Sequence, residues 1–372
     1  MRILFSTDQI YLHGGIEKVM AEKANYFAEM LGYSVFILTT EQKKNQPCYL
    51  LSDKITLVDI EVNYVRHKSY FHPINLKKIP FHFFHYKRIL KEIQPDFIIS
   101  CNYAFDFYWL PFTFKTIPKL KEFHSSRFYE NEARKKANSI KKLKYVVNDF
   151  IESKFTKLIL LNADEMPFYK SSNKVVIPNP IQVVPILNQP LRYKRAIAAG
   201  RIAPVKGFDA MIKAWQKVNE QCPDWQLVIF GDGEKEYISY LNNIITELNL
   251  LNKVVIHSAT NQLRSEFISS SFYLMTSKTE CYPMVLLEAM NAGLPIITYD
   301  SPTGPRHIVT SGEDGIIVGF NNERLLVEKI VFLMQNNSLL RQMGENAIDK
   351  SKSFSVEKIM THWESLFKQL TS

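Results

Sequence analysis

Two glutamates in the segment Glu280-Cys-Tyr-Pro-Met-Val-Leu-Leu-Glu288 have the chemistry and the spacing to serve one binding site. A buried strand is predicted to end near residue 276 and a helix to begin near residue 284, which puts Glu280 in a loop and Glu288 about one turn into the helix. We expect that helix start to leave free the backbone N–H groups of 282–285, namely Tyr282, Pro283, Met284 and Val285. Free N–H groups and the helix dipole suit phosphate there. Two glutamates that flank an ordinary surface helix by chance would have the same spacing. A binding site and a chance arrangement therefore both stay open as interpretations.

Two cations follow the first predicted strand of the second half of the chain. Arg201 comes directly after Gly200, and Lys206 precedes Gly207 at the start of the next predicted helix. An arginine can hold phosphate oxygens through two parallel hydrogen bonds, and a lysine adds a compact positive charge. Together they suit a diphosphate leaving group, whose negative charge grows as its bond breaks. The alternative is a solvated loop that happens to be basic.

Weaker signals lie at the ends of other predicted strands. Gly231, in a Gly-Asp-Gly sequence, indicates a tight backbone turn, and His257 is either a ligand contact or a buried structural histidine. In the first half, Gly14 and Gly15 would let the backbone approach a ligand closely, although their pattern is not a dinucleotide-binding loop. His124 follows a strand-like segment and is either a residue of the reacting centre or a structural one.

The composition excludes several classes of protein. Apolar residues make up 46% of the 372 residues and charged residues 22%, which is ordinary for a two-domain globular enzyme. We find no apolar run long enough to span a membrane and no signal peptide, and the four cysteines form no C-x-x-C pair. A reducing cytoplasm is therefore expected. No Asp-x-Asp occurs in the sequence, so we expect no divalent metal clamp and no cofactor.

Strand-like and helix-like segments alternate along the chain, which predicts an α/β fold of parallel sheets. In the first half the predicted strands are 3–6, 35–39, 97–100 and 158–161, and the predicted helices are 17–31, 81–93 and 134–153. The proline-rich segment 177–190 predicts a linker. The second half has predicted strands at 196–199, 227–230, 254–257, 272–276 and 296–298, and helices at 208–221, 235–248, 262–269, 284–291 and from 323 onwards.

These elements predict two doubly wound, Rossmann-like domains that face a cleft, with ligands at the carboxyl ends of the strands. We expect an N-terminal domain at 1–180, a C-terminal domain at 191–354, and a final helix at 355–372 that returns to the first domain.

The excess positive charge lies entirely in the first half of the chain. Residues 1–190 contain 27 Lys and Arg against 18 Asp and Glu, whereas residues 191–372 contain 19 of each. The spans 62–91 and 133–148 contain no acid. On a helical wheel the second span has one apolar face and an opposite basic face, made by Ile140, Leu143, Val147 and Phe150 and by Arg134, Lys135, Lys141 and Lys142. This pattern predicts a helix docked on the sheet, with a basic outer face that is either merely solvated or rests on an anionic inner-membrane surface.

These residues together resemble the retaining glycosyltransferases of family 4, which have the GT-B fold. The resemblance runs in order from residue 14 to about 320, through Gly14-Gly15, His124, Pro178-Asn179-Pro180, Gly200-Arg201, Lys206-Gly207, Gly231-Asp232-Gly233, Glu280-x7-Glu288, Gly304-Pro305 and Gly312-x-x-Gly315. Within this resemblance, the signal most specific for the family is the pair of glutamates, Glu280 and Glu288, with the two cations Arg201 and Lys206 ahead of them. The run Ser-Pro-Thr-Gly-Pro at 301–305 is most similar to members that build bacterial capsule, lipopolysaccharide or teichuronic-type chains.

The resemblance implies transfer of a hexose or N-acetylhexosamine from a nucleotide diphosphate sugar, usually a UDP-sugar, to a glycan or lipid-linked acceptor. It implies retention at the anomeric carbon and no metal, with domain 1–180 binding the acceptor and domain 191–354 the donor. Glu288 would hold the ribose, Arg201 and Lys206 the diphosphate, and Glu280 the donor sugar, with His124 facing that sugar. The remaining donor contacts would be Gly14, Gly15, Gly231, His257, Tyr282, Pro283, Met284 and Val285.

Two departures from the family pattern are Cys281, where many members have glycine, and Asn162-Ala163, which replaces a common Ser-Glu pair. Two other functions are compatible with the same fold, namely a sugar-nucleotide epimerase or hydrolase and a non-catalytic nucleotide-sugar-binding subunit. A nucleic-acid binder is not expected, because no zinc-finger, recognition-helix or RNA-binding signature accompanies the positive charge.

Overall fold

The computed structural model describes residues 1–101, 104–185 and 193–371. The chain divides into two compact units. Unit 1 comprises Met1–Pro180 and Val356–Ser372, and unit 2 comprises Ile181–Ser355. Each unit contains a parallel sheet with helices, so the predicted α/β class is confirmed. Of the predicted linker, residues 186–190, including Pro190, lie outside the described residues.

Unit 1 is built on a seven-stranded parallel sheet. Its strands are β1 (Arg2–Thr7), β2 (Ser34–Thr39), β3 (Ile55–Asp59), β4 (Phe97–Ser100), β5 (Lys119–Glu122), β6 (Lys157–Leu160) and β7 (Lys174–Val176). They lie in the order β3-β2-β1-β4-β5-β6-β7, so the strand order reverses between β1 and β4. Every residue of β4 is buried, as expected of a parallel strand that is covered on both faces.

The sequence did not predict β3 and β7. Both lie at edges of the sheet, where β3 is partly exposed along its whole length and β7 has only three residues. The strand-like segment that precedes His124 is β5, in which three of four side chains are charged and all four residues are buried. Hydrophobic periodicity is a weak guide to such strands.

The helices of unit 1 that precede unit 2 are α1 (Gly15–Glu29), α2 (Pro73–Leu76), α3 (Ile79–Ile93), α4 (Phe128–Lys135) and α5 (Ser139–Glu152). The single helix predicted at 134–153 is therefore wrong, because α4 and α5 are separate. Asn138 caps α5, since its side-chain oxygen accepts a hydrogen bond of 3.0 Å from the N–H of Lys141. This cap begins a new helix where the sequence pattern predicted a continuous one.

The predicted docking of α5 by its apolar face is wrong as well. The four side chains assigned to that face are exposed, and the buried residues of α5 are Ile151 and Glu152. The four are Ile140, Leu143, Val147 and Phe150. Two residues of the expected basic face form ion pairs with nearby acids. Arg134 pairs with Asp149 (2.6 Å), and Lys135 pairs with Glu132 (2.5 Å).

Unit 2 is built on a six-stranded parallel sheet. Its strands are β8 (Arg195–Ala199), β9 (Gln226–Phe230), β10 (Val254–His257), β11 (Phe272–Met275), β12 (Ile296–Tyr299) and β13 (Gly315–Val318). The order β10-β9-β8-β11-β12-β13 places β8 beside β11, where the strand order reverses. Ligands of doubly wound sheets bind outside the carboxyl ends of the strands at such a point. The segments after β8 and β11 are therefore the first candidates for a site.

The helices of unit 2 are α6 (Phe208–Gln221), α7 (Lys235–Glu247), α8 (Leu263–Ile268), α9 (Met284–Asn291), α10 (Glu323–Gln335) and α11 (Asn337–Ser351). The last helix, α12 (Val356–Thr371), belongs to unit 1. Its Trp363 and Phe367 pack on Phe27 of α1, with ring centroids 6.4 and 5.6 Å apart.

Candidate functional site

The segment after β8 carries the two predicted cations. Arg201 has an exposed side chain, and Lys206 ends a short 3-10 turn, Pro204–Lys206. Gly207 follows with a φ of 67° and is the N-cap of α6. A β-carbon on Gly207 would lie 2.2 Å from the carbonyl oxygen of Thr276, so the close approach requires glycine. This contact holds the loop after β8 against the loop after β11.

Lys206 and Glu280 form an ion pair, with Lys206 Nζ 2.6 Å from Glu280 Oε1. The side chains are 25% and 11% exposed, so both remain accessible from solvent. The two residues are 74 positions apart in sequence and lie on different loops. The fold thus brings two of the predicted site residues together at the point where the strand order reverses.

The loop that carries Glu280 is held on both sides. Thr276 Oγ1 donates a hydrogen bond to the carbonyl oxygen of Gly207 (2.8 Å), and Thr303 Oγ1 donates one to the carbonyl oxygen of Glu280 (2.9 Å). A β-carbon on Gly304 would lie 2.7 Å from that same oxygen. The Glu280 carboxylate is therefore presented from a backbone with little freedom to move.

Glu288 lies in α9 and is half-buried. Burial, and to a smaller extent the charges of Glu280 and Glu288, raises the pKa of the Tyr273 phenol. The Tyr273 hydroxyl donates to the carbonyl oxygen of Ala199 at the end of β8 (2.8 Å). This hydrogen bond joins β11 to the end of β8.

The start of α9 offers fewer backbone donors than the sequence predicted. Met284 and Val285 form its first turn, where N–H groups have no acceptor within the helix. Pro283 has no N–H, so the expectation of donors throughout 282–285 is wrong at this position. Tyr282 is only 6% exposed, and its hydroxyl has no hydrogen-bond partner among the described residues. Cys281 is buried as well.

Gly231 brings the end of β9 against the end of β8. A β-carbon there would lie 1.9 Å from the carbonyl oxygen of Gly200, and the Gly231 N–H donates to the carbonyl oxygen of His257 (3.0 Å). The His257 side chain is exposed and its ring stacks on Phe230 at 5.0 Å. The interpretation of His257 as a buried structural histidine is therefore wrong.

In unit 1, Gly14 and Gly15 lie where β1 leads into α1. Gly14 is the N-cap, and Glu17 folds back over it, so a β-carbon on Gly14 would lie 2.3 Å from Glu17 Oε2. Gln9 Nε2 donates to Glu17 Oε1 (2.6 Å), and burial raises the pKa of the Glu17 carboxyl. A phosphate at this helix start would have to share it with a carboxyl group.

His124 lies beyond β5, and its side chain is 6% exposed. Its Nε2 lies 3.4 Å from Glu122 Oε2, while the other oxygen of Glu122 is paired with the buried Lys23 of α1. Sequence reasoning missed Lys23 and Glu122. The sequence offered only two signals for this ion pair, namely a charged Lys23 within the apolar pattern of α1 and a charged Glu122 inside β5. Neither signal shows that the two residues are partners.

Among the described residues, no group of three or more His, Cys, Asp or Glu side chains is placed to hold a metal ion, and metal independence stays a prediction. No helix within 1–101, 104–185 or 193–371 is long and apolar enough to cross a membrane.

Two units that each contain a doubly wound parallel sheet are typical of the GT-B class of fold. Residues 184–350 match the family described as glycosyl transferases group 1, and unit 2 is a domain of this family. The predicted resemblance to a glycosyltransferase family and the GT-B fold are thereby confirmed, whereas retention at the anomeric carbon stays a prediction.

Known relatives agree with this assignment. An uncharacterized glycosyltransferase of Haemophilus influenzae is 29% identical over 95% of this chain and 96% of that protein. The amylovoran biosynthesis glycosyltransferase AmsD of Erwinia amylovora is 30% identical over 47% of this chain and 48% of that protein. A solved structure of an S. aureus TarM mutant has a TM-score of 0.79 over 98% of this chain and 99% of that chain, at 14% identity, and so shares the fold.

Proposed function

We propose that this chain is a retaining glycosyltransferase that moves a hexose or an N-acetylhexosamine from a nucleotide diphosphate sugar to a glycan or lipid-linked acceptor. The ion pair between Lys206 and Glu280, at the strand reversal of a group 1 glycosyltransferase domain, carries this proposal. It offers a cation for the leaving diphosphate beside a carboxylate for the hydroxyl groups of the sugar.

The chemistry explains why such a pair is useful. The bond between the anomeric carbon and the diphosphate oxygen breaks, the diphosphate leaves with the electron pair, and the acceptor hydroxyl forms the new bond and releases its proton. Negative charge grows on the diphosphate, so cations that are already in place stabilise the transition state more than the bound substrate. Lys206 and Arg201 supply these cations, and the first turn of α9 adds N–H donors. With this arrangement the transfer requires neither a metal nor a cofactor.

The two glutamates then have different partners. Glu288, inside α9, accepts hydrogen bonds from the ribose, and Glu280 accepts them from the donor sugar. We further propose His124 as a catalytic contact of that sugar, with Gly14 and Gly15 near the phosphates. Retention at the anomeric carbon is supported by the resemblance of the Glu280-x7-Glu288 spacing to family 4.

Related proteins support the base and the kind of acceptor. The TarM mutant was solved in complex with Fondaparinux, α-GlcNAc-glycerol and UDP, and AmsD is named for amylovoran biosynthesis. A UDP-sugar donor and a role in surface polysaccharide synthesis are therefore proposed here. We also propose a reducing compartment such as the cytoplasm, because the four cysteines form no disulfide among the described residues.

Product analysis separates this proposal from the two alternatives. Purified protein is incubated with each of a panel of UDP-, GDP-, ADP- and dTDP-sugars, with and without a glycan or lipid-linked acceptor, and the products are followed by NMR. We expect release of the nucleoside diphosphate to accelerate with acceptor, and the new linkage to keep the donor's anomeric configuration. A rate of donor turnover that no acceptor changes indicates an epimerase or hydrolase. Binding without any turnover indicates a non-catalytic subunit.

A further inference from the structure

The α5 stripe is a row of large apolar side chains that α5 presents to solvent. Its members are Ile140, Leu143, Val146, Val147 and Phe150, with exposures between 43% for Val147 and 80% for Ile140. Their spacing of three, four and seven residues puts them on one face of the helix. Soluble proteins rarely expose a contiguous apolar surface of this kind unless something binds to it.

Ion pairs on the opposite side hold α5 in this orientation. Arg127 Nη1 donates to Glu152 Oε2 (2.9 Å), and the two side chains are only 3% and 1% exposed. Arg134 of α4 pairs with Asp149 (2.6 Å). Because breaking a buried pair is strongly unfavourable, α5 cannot readily turn its apolar face inward.

A neighbouring aromatic residue extends the stripe beyond α5. The ring of Phe112 stacks on Phe150, with centroids 6.1 Å apart and planes at 24°. Phe112 is itself 41% exposed. The apolar surface is therefore wider than one helix face.

Lysines border the α5 stripe on both sides. At 100° per residue, Lys142 lies at one edge and Lys144 at the other, and Lys154 holds its ammonium 4.7 Å from the centre of the Phe150 ring. No acid occurs from 133 to 148, and Asp149 and Glu152 are engaged on the inner side. The surface is thus apolar in the middle and cationic at its rim.

We propose that the α5 stripe docks this protein on an anionic phospholipid membrane, with the apolar side chains among the acyl chains and the lysines at the phosphates. Amphipathic helices with this distribution lie in the membrane interface. A second copy of the chain fits less well, because a two-fold contact between two such surfaces would bring lysines against lysines without an acid to pair them. The inference goes beyond the transferase proposal and does not depend on it.

Vesicle co-sedimentation of the full chain tests the docking without any sugar donor. The vesicles contain phosphatidylcholine alone or equal parts of phosphatidylcholine and phosphatidylglycerol. We expect wild type to bind the anionic vesicles. Ile140→Ser/Leu143→Ser/Phe150→Ser should bind them at least about tenfold more weakly, since three apolar side chains that would be buried among the acyl chains are lost. Leu50→Ser/Leu251→Ser is the matched control, because these leucines are 91% and 63% exposed elsewhere, and its binding should equal wild type.

A charge-reversal pair tests the rim separately. Lys142→Glu/Lys144→Glu should bind anionic vesicles more weakly, whereas Lys54→Glu/Lys213→Glu, with the same change in net charge at exposed positions, should bind nearly as wild type. Binding by wild type should weaken as salt shortens the screening length. All variants should keep the donor hydrolysis of wild type in vesicle-free buffer, so a failed docking is distinguishable from a failed transferase assignment.

Three results would overturn the docking proposal. The first is a wild type that does not bind phosphatidylglycerol vesicles at low salt, and the second is a triple serine variant that binds them as tightly as wild type. The third is a stable dimer in light scattering that the triple substitution converts to monomer, which would assign the α5 stripe to self-association.

Discussion

Lys206 Nζ lies 2.6 Å from Glu280 Oε1, so the cation proposed for the donor diphosphate already has an anionic partner in its own unit. A diphosphate must share or replace that partner when it binds. The pair is partly exposed, so its strength is limited by solvent screening and the exchange is feasible at small energetic cost.

The first prediction concerns the charge of Glu280. In Glu280→Gln, Lys206 loses its competing partner, so UDP without a sugar should bind about three- to tenfold more tightly, a change of roughly 1 kcal/mol. Sugar transfer should nevertheless fall, because the donor sugar loses its carboxylate acceptor. Isothermal titration with UDP and initial-rate assays measure the two effects. Glu266→Gln, which breaks the 2.6 Å pair with Arg195 elsewhere in unit 2, should alter neither. Weaker UDP binding by Glu280→Gln would contradict the competition.

A second prediction tests the ribose contact. Glu288→Ala should weaken UDP binding by about ten- to a hundredfold, since a hydrogen bond to a charged group contributes about 1.5–3 kcal/mol. Removing the ribose 2′- and 3′-hydroxyls from UDP should weaken binding to wild type by a similar factor and to Glu288→Ala by much less. Titrations with both ligands form a double-mutant cycle. Equal losses in wild type and variant would place Glu288 away from the ribose.

A third prediction follows from the two cations and the absent Asp-x-Asp sequence. Transfer should persist in EDTA at the rate measured with magnesium, because in the proposed site Arg201, Lys206 and the start of α9 would neutralise the diphosphate. Rates in EDTA, magnesium and manganese are compared on the same preparation. Activity that EDTA abolishes and either cation restores would show that the leaving group needs a metal.

The sequence predicted much of unit 2 because its strands are short apolar runs that end in glycine, charged or polar residues. Helices α6 and α9 and strand β10 begin and end where the pattern predicted. Contacts between distant residues were not predictable, such as the pair of Lys23 with Glu122, which are 99 positions apart.

The orientation of α5 illustrates a second limit. Periodicity identifies which side chains share a face of an amphipathic helix, but it does not say which face is packed. In α5 the buried partners of Arg127 and Arg134 decide that question, and they place the apolar face outside.

A fourth prediction uses the buried pair in unit 1. Burial alone would raise the pKa of the Glu122 carboxyl, but the charge of Lys23 and the contact with His124 outweigh burial and hold that pKa below its ordinary value of 4.5. A carboxyl with a lowered pKa stabilises the folded state above its unfolded pKa and loses this contribution as the pH falls. The free energy of unfolding of unit 1 should therefore decline below about pH 4.5.

Urea unfolding followed by circular dichroism at several pH values measures this decline. Glu122→Gln leaves Lys23 buried without its partner, so at pH 7 it should be less stable by about 3–5 kcal/mol and should lose less on acidification than wild type. The exposed Glu92, 3.6 Å from Arg88, provides the control, and Glu92→Gln should follow wild type throughout. Identical pH profiles for Glu122→Gln and wild type would exclude this carboxyl as a source of acid sensitivity.

The central claim is that Lys206 binds the diphosphate of a nucleotide sugar, and isothermal titration of UDP into wild type, Lys206→Ala and Lys194→Ala tests it most directly. Lys194 serves as the control because it lies just before β8, at the opposite end of that strand from Lys206, and pairs with Asp224 (2.8 Å). We predict one UDP per chain, binding weakened about ten- to a hundredfold in Lys206→Ala, and unchanged binding in Lys194→Ala. Equal affinities in folded wild type and Lys206→Ala, or no binding of UDP, GDP, ADP or dTDP to wild type, would contradict the account.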